Sequence, residues 1–563
     1  MKNRKTIAVC AAISIHAVLI AQGSWSPLIT PANGGWANLP DPLPADPTTY
    51  RAARAIHMIH IRPVNPAMGS TGKLLFWGRN NAGSAGVRPF VWDPFDLTNP
   101  LRPYGTFVLT SNQLGYEAFC CGQSLMADGK VLIAGSNFTG TPSEPGRQVA
   151  IYDPATNSWL ESPINYQLVK KRYYPTVTRL PGGRMVVSGG QATDPPPPAQ
   201  PAFVTEPYEV NYNTVDAQAT WQMLVLDDYD LLNYPHMYPV SATEMFFAGP
   251  SRHHGGTYVN GWLEGYPTFF FDTAAGGDDA GRTLFGGLSQ TWHGSTVMLG
   301  SMLLKSGGLS RLSQTIPYAE LPATDQAESL PIGNMSTDPA WTFVAPMNHA
   351  RIDHNLVVLP NEKVLALGGS LFHRKLWRED PANWVRDAEI WNRDTNVWTN
   401  VADPDPNTFR GYHSTAMLLP DGRVVLAGCD HKFDIAGEGD QPPSAQIYTP
   451  NYGVGTRPQI TSGPDIIQVG STTNSIGVND VTVSKAVLIA LGAVTHSFDM
   501  NQRYVEIELT NTLNPLIKNV KGPVSSTQAP VGWYMLFVLK PDGTGNMLPC
   551  QLAKYVKVIS GSR

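Results

Sequence analysis

Three observations predict an all-β fold for the 563-residue chain: a repeated hairpin text, an excess of turn residues over charged ones, and a change of pattern after Tyr452. Together they give a seven-bladed, kelch-type β-propeller over residues 24–453 and an immunoglobulin-like β-sandwich over 454–563, behind a secretory signal at 1–23.

An apolar strand, a turn containing Gly or Asp, and a second apolar strand that usually closes on Gly recur along the chain. The units are GKLLFWG from Gly72, DGKVLIAG from Asp128, GGRMVVSGG from Gly182, TEMFFAG from Thr243, GSMLLKSGG from Gly300, NEKVLALGG from Asn361 and DGRVVLAG from Asp421. Their spacing, roughly 55 to 62 residues, is a little above the kelch period. Several continue into a third strand and a turn, as in VAIYDPATNSW, AEIWNRDTNVW and AQIYTPNYG. Four-stranded blades bury their faces against one another, and the ring leaves no long free edge. The run DPPPPAQPAFVTEP from Asp194 falls inside the period and reads as a proline-rich surface loop. Beyond Tyr452 the period stops, and alternating strands such as PVGWYMLFVLKPDG and AKYVKVIS fit a separate sandwich.

Composition agrees, since 52 Gly, 48 Pro and 15% charged residues favour short strands and turns over long helices. A formal charge of −5 gives nucleic acid no electrostatic reason to bind. At the start, Lys2, Arg4 and Lys5 precede an apolar run and the small-x-small sequence Ala21-Gln22-Gly23. This is a secretory signal, with an uncleaved N-terminal membrane anchor as the alternative. Both expectations put the bulk of a monomeric protein outside the cytoplasm. Cys10 leaves with the signal, and Cys120, Cys121, Cys429 and Cys550 are too few for a disulfide scaffold.

Propeller pseudo-symmetry places residues at equal offsets before each blade's turn at one height around the axis. Cys120 lies nine positions before Gly129, Tyr174 nine before Gly183, and Tyr412 ten before Gly422. Cys120, Tyr174, Tyr412 and His413 are therefore expected at the mouth of the axial channel. Neighbours in a regular strand face opposite ways, so Tyr412 and His413 can serve one site only through an irregular strand entrance. His57, His60, His236, His293 and His354 stand near comparable places, either as metal ligands or as partners for polar groups at strand ends.

Four motifs resemble those of the galactose oxidase and glyoxal oxidase family of mononuclear copper-radical oxidases. They are FCCGQS around Cys120, RYYPT around Tyr174, GYHSTAMLLPDGRV with Tyr412 and His413, and VTHSFDMNQR with His496, in the family's order and spacing. The resemblance types the sandwich as early-set. It implies one copper per chain held by Tyr174, His413 and His496, with Tyr412 as a weaker axial ligand. It also implies a protein-derived radical cofactor, Tyr174 thioether-bonded to Cys120, with Tyr412 as the base that takes the substrate's hydroxyl proton. His496 would arrive from the second domain, so a sandwich loop must enter the propeller. Two departures bear on substrate and cross-link. Gly189-Gly190 is followed by Gln191-Ala192 where galactose oxidase has a tryptophan over the thioether, and Cys121 could compete with Cys120. Trp292 offers an aromatic cover from another blade or else packs in the core.

The expected function is an extracytoplasmic oxidase nearer to glyoxal oxidases, using O2 on small aldehydes or primary alcohols and releasing H2O2. The alternative is a non-catalytic kelch-type propeller that binds a surface polysaccharide or protein, which has no need of all five site residues. A two-histidine metal hydrolase lacks a carboxylate with motif support.

Overall fold

The computed structural model describes residues 23–30, 53–79, 86–100, 102–136, 146–163, 166–191, 208–211, 221–224, 231, 233–252, 268–272, 283–284, 293–309, 321–332, 339–372, 381–429 and 443–561. Among these there is no α-helix, as the all-β expectation requires. Sheets follow one another in chain order, each a four-stranded antiparallel meander, across 57–109, 122–161, 176–224, 233–284, 295–344, 355–400 and 414–449. In the last of these the outer strand is Ser24–Trp25 from the chain's other end, paired with Ala445–Thr449. That strand begins one residue past the small-x-small sequence; residues 1–22, with the rest of the signal, lie outside the described residues.

The hairpins form where the repeat predicts them. Gly422 sits at φ 84°, and Gly129 and Gly183 at φ 93° and 95°, a left-handed conformation that side chains resist. Arginines fix the other end of the innermost hairpins. Arg172 Nη1 donates to the carbonyl of Gly189, Arg351 Nη1 to that of Gly368, and Arg410 Nη1 to that of Gly428. The arginine in RYYPT is thus a fold residue, repeated in two further sheets.

The C-terminal strands form two facing sheets. One contains Lys485–Ala490, Tyr504–Ile507, Gly532–Pro541 and Lys554–Ile559; the other contains Ile460–Ser462, Asn474–Val478, Leu509–Asn511 and Ile517–Val520. Val487, Leu488, Phe537 and Val538 from the first and Ile476 and Val520 from the second are at most 2% exposed and share one core. A hairpin leaves this sandwich: Ala493–Thr495 pairs antiparallel with His57–Ile59, the innermost strand of the first propeller sheet, and returns as Phe498–Asp499.

Candidate copper centre

The turn of that invading hairpin carries His496 and Ser497, both in the left-handed region at φ 50° and 69°. Its motif residues hold the loop in place. Asp499 Oδ1 accepts from the amides of Ala493, Asn501 and Gln502 at 2.8, 3.0 and 2.9 Å. Gln502 Oε1 accepts from Val358 N at 2.7 Å, Gln502 Nε2 donates to Leu356 O at 3.2 Å, and Arg503 Nη2 donates to Pro239 O at 3.2 Å, tying the loop to two propeller sheets.

Around it stands a ring of irregular strand entrances. Cys120, Tyr174, Tyr234, His293, Asp353 and His413 have φ of 59°, 65°, 45°, 64°, 52° and 71°. Backbone bonds link successive members: Tyr174 N to Cys120 O at 3.0 Å, Tyr234 N to Tyr174 O at 2.7 Å, and Asp353 N to His293 O at 2.9 Å. Left-handed non-glycine residues cost on the order of 1–3 kcal/mol each and concentrate at functional sites. His413 is the counterpart of Cys120 and Tyr174, standing nine residues before Gly422; the sequence offset drawn through Tyr412 was one residue off. Its twisted backbone also answers the adjacency problem. The Tyr412 and His413 rings lie 3.8 Å apart, and both face His496, at centroid distances of 5.1 and 4.5 Å.

All five expected site residues meet here. The Tyr174 and Tyr412 hydroxyls are 3.3 Å apart, Cys120 Sγ is 3.4 Å from His496 Nε2, and the donor atoms of Cys120, His413 and His496 lie within 4.8 Å of one another. Each is at most 3% exposed. Thr495 Oγ1 donates to Ile56 O at 2.8 Å, so its oxygen accepts from His496 Nδ1 at 2.6 Å. That leaves the Nε2 lone pair directed at the cluster, the tautomer a metal requires. Two imidazoles and two phenols in one buried pocket form the mixed nitrogen and oxygen set suited to copper(II). Cys120 packs with Tyr173 and Tyr174, whereas Cys121 faces away into a core with Trp77 and Tyr116, where burial raises its thiol pKa well above the ordinary value. None of Cys120, Cys121, Cys429 and Cys550 forms a disulfide.

The other candidate histidines bond protein groups. His57 Nε2 accepts from Cys120 N at 3.0 Å, its Nδ1 donates to Gln123 Oε1 at 2.9 Å, and Gln123 Nε2 donates to Val494 O at 2.9 Å. Burial lowers the His57 pKa to about 3, keeping the neutral form that this chain of bonds needs. His60 Nε2 meets Tyr555 Oη at 2.7 Å, His236 Nδ1 meets Thr296 Oγ1 at 2.9 Å, His354 Nε2 meets Ser306 Oγ at 3.0 Å, and His293 Nδ1 meets Asp353 Oδ1 at 2.8 Å.

Sequence reasoning overlooked Tyr173 and Tyr234. Tyr173 lies against Tyr174 at 4.0 Å between centroids, and Tyr234 lies against His496 at 4.5 Å. The doubled tyrosine in RYYPT was the available signal for the first. Nothing local marked Tyr234 apart from its period. Gln191 is fully buried and bridges Tyr173, while Ala192 and Trp292 lie outside the described residues.

Residues 457–547 match the family described as galactose oxidase-like, early set domain. A galactose oxidase of Gibberella zeae is 26% identical over 508 residues, covering 85% of this chain and 68% of that protein. An aldehyde oxidase of Vitis pseudoreticulata is 23% identical over 78% of this chain and 82% of its own length. The chain is a member of the galactose oxidase and glyoxal oxidase group of copper-radical oxidases. A solved structure of a fungal alcohol oxidase of the AA5 family, in complex with copper, superimposes on the oxidase with a TM-score of 0.71 at 19% identity. It covers 95% of this chain and 99% of its own, so the likeness in fold spans both domains.

The contact between Thr495 and His496 yields a first expectation for the oxidase. Thr495→Val keeps side-chain shape but leaves Nδ1 without its acceptor, and copper affinity falls about 10- to 100-fold. Competition against a copper chelator measures it; a change within about twofold would mean that Thr495 does not orient the ligand.

Proposed function

We propose that this oxidase works outside the cytoplasm and oxidises small aldehydes, as their hydrates, or small primary alcohols, reducing O2 to H2O2. The observation that carries the reading is the 3.3 Å approach of the Tyr174 and Tyr412 hydroxyls within the pocket that also gathers His413, His496 and Cys120. Extracytoplasmic placement rests on the basic, apolar and small-residue order of residues 1–23.

Tyr174, His413 and His496 would hold one copper, with Tyr412 as a weaker axial donor. Bound there, the ion supplies one of the two one-electron acceptors needed and a place for the substrate's oxygen. Tyr174 joined to Cys120 is the second acceptor, because sulfur ortho to the phenol spreads the unpaired electron. Tyr412 takes the substrate's hydroxyl proton as a positioned base. Burial of all five residues keeps bulk water from the oxidised tyrosine. Overall, two electrons and two protons pass from the substrate to O2: an alcohol gives an aldehyde, a hydrate gives an acid, and each gives one H2O2.

A second reading has some support, since Cys120 Sγ lies 3.4 Å from His496 Nε2 and Cys120 could be a thiolate ligand in place of a cross-link partner. Peptide mass separates the two.

For substrate, peroxide release is expected to be faster with glyoxal, methylglyoxal or glycolaldehyde than with galactose. Gln191 follows Gly189-Gly190 and is buried beside Tyr173, so no large ring at that position offers a hexose a stacking wall. A hexose then gains little binding energy to orient its hydroxyl, whereas a small hydrate needs only the copper and Tyr412. One coupled peroxidase assay across aldehydes, simple alcohols and hexoses decides this. Preference for galactose would sink the small-substrate reading, and no peroxide from any compound after copper loading and mild oxidation would favour a binding propeller.

A further inference from the structure

Two ring positions have no part in this chemistry. His293 and Asp353 occupy successive places between Tyr234 and His413 in chain order, with the same left-handed backbone as Cys120, Tyr174 and His413. They are joined twice, by Asp353 N to His293 O at 2.9 Å and by His293 Nδ1 to Asp353 Oδ1 at 2.8 Å. Their side chains are 1% and 4% exposed. Two residues further on, Ser295 Oγ donates to Ser497 O at 2.8 Å, fastening this blade entrance to the residue beside His496.

We infer that the His293–Asp353 pair is a substrate-recognition point in the channel mouth that hydrogen-bonds the non-reacting oxygen of a bifunctional substrate, such as the second hydroxyl of an aldehyde hydrate or an α-hydroxyl. The inference rests on the oxidase reading above and adds a specificity residue to it. The other channel histidines described above bond neutral partners, Gln123, Tyr555, Thr296, Ser306 and Thr495. Satisfying a strand end needs no more than that. A buried carboxylate is costly unless it has a specific charged or donor partner, and here it fixes Nδ1 as the donor and Nε2 as the basic nitrogen. An oriented imidazole on the arc of the ring between Tyr234 and His413 suits a second oxygen on a molecule whose reacting end is held by Tyr174, Tyr412 and His413. A monofunctional alcohol has no group to offer it.

His293→Asn tests this cleanly, because asparagine tolerates a left-handed backbone and can still bond Asp353 while lacking the outer nitrogen. For glycolaldehyde and glyoxal, kcat/KM is expected to fall about 10- to 100-fold, while for ethanol and propan-1-ol it changes less than about threefold. Copper content and the mass of the Tyr174 peptide stay as in the wild type. Asp353→Ala gives the same selective loss, and Asp353→Asn restores most of it. Anaerobic titration of the copper-loaded, radical-free protein, read by its visible spectrum, gives a weaker Kd for ethylene glycol in H293N and the same Kd for ethanol. Equal losses on both substrate classes, loss of copper, or no change in the titration would each overturn the inference. Absence of peroxide from wild type with every compound would instead overturn the oxidase reading, and the titration would still decide the role of the pair.

Discussion

Copper content falls from one ion per chain to near zero in His413→Ala and in His496→Ala. Each change removes an imidazole from a pocket where no other side chain can replace it: His57 is committed to Cys120 N and Gln123, His354 to Ser306, and His293 to Asp353. Losing an outer-shell partner already costs about 10- to 100-fold in metal affinity, and losing the donor itself costs more. The two histidines enter from different domains. His413 stands on an innermost propeller strand and His496 on the hairpin from the sandwich, and equal loss in both variants would show that the site needs both. Metal analysis after copper loading and desalting gives the result. Undiminished copper in both variants would move the centre elsewhere in the chain.

Cys120→Ala is expected to leave copper binding within about tenfold of wild type and to lower peroxide production on the order of a thousandfold. Without sulfur on its ring the Tyr174 phenol becomes a harder group to oxidise, and for a one-electron couple every 59 mV is a factor of ten, so about 180 mV accounts for the loss. The same preparation of wild type, exposed to copper and O2, should yield the Cys120 and Tyr174 peptides joined and two hydrogens lighter than their sum. Those two hydrogens leave as H2O2. Cys121→Ala should leave the cross-link intact, since its thiol packs against Trp77 and Tyr116 and not against Tyr174. A bond from Cys121, or separate peptides with full activity, would reverse the assignment and favour Cys120 as a thiolate ligand.

Which features could be read from the chain follows from how local their causes are. The strand-turn-strand units are short-range: a Gly or Asp-Gly turn between two apolar runs forms a hairpin almost wherever it stands, and the repeat then makes a ring of sheets the way to bury both faces. The change of pattern after Tyr452 is equally local, and the described strands from Ile460 onward pair only among themselves apart from the hairpin and one parallel bridge, Leu299 to Tyr504. The motifs carrying Cys120, Tyr174, Tyr412, His413 and His496 were likewise legible as text. Counting offsets brought the right residues to one place, yet it aligned Tyr412 where His413 belongs, because a one-residue irregularity leaves no mark in an apolar alternation.

By itself, then, the amino-acid order determined the hairpins, the ring of sheets, the second domain and the five chemically capable residues. Only the tertiary structure decided how those residues meet. The left-handed entrances that turn Tyr412 and His413 the same way, the Thr495 hydroxyl that selects the His496 tautomer, the neutral His57 beneath Cys120 and the pairing of His293 with Asp353 all join residues far apart in sequence. The reason is physical: whether a buried histidine binds a metal, accepts from a backbone amide or leans on a carboxylate depends on which donors and acceptors surround it once water is gone, and those neighbours arrive from other blades and from the other domain.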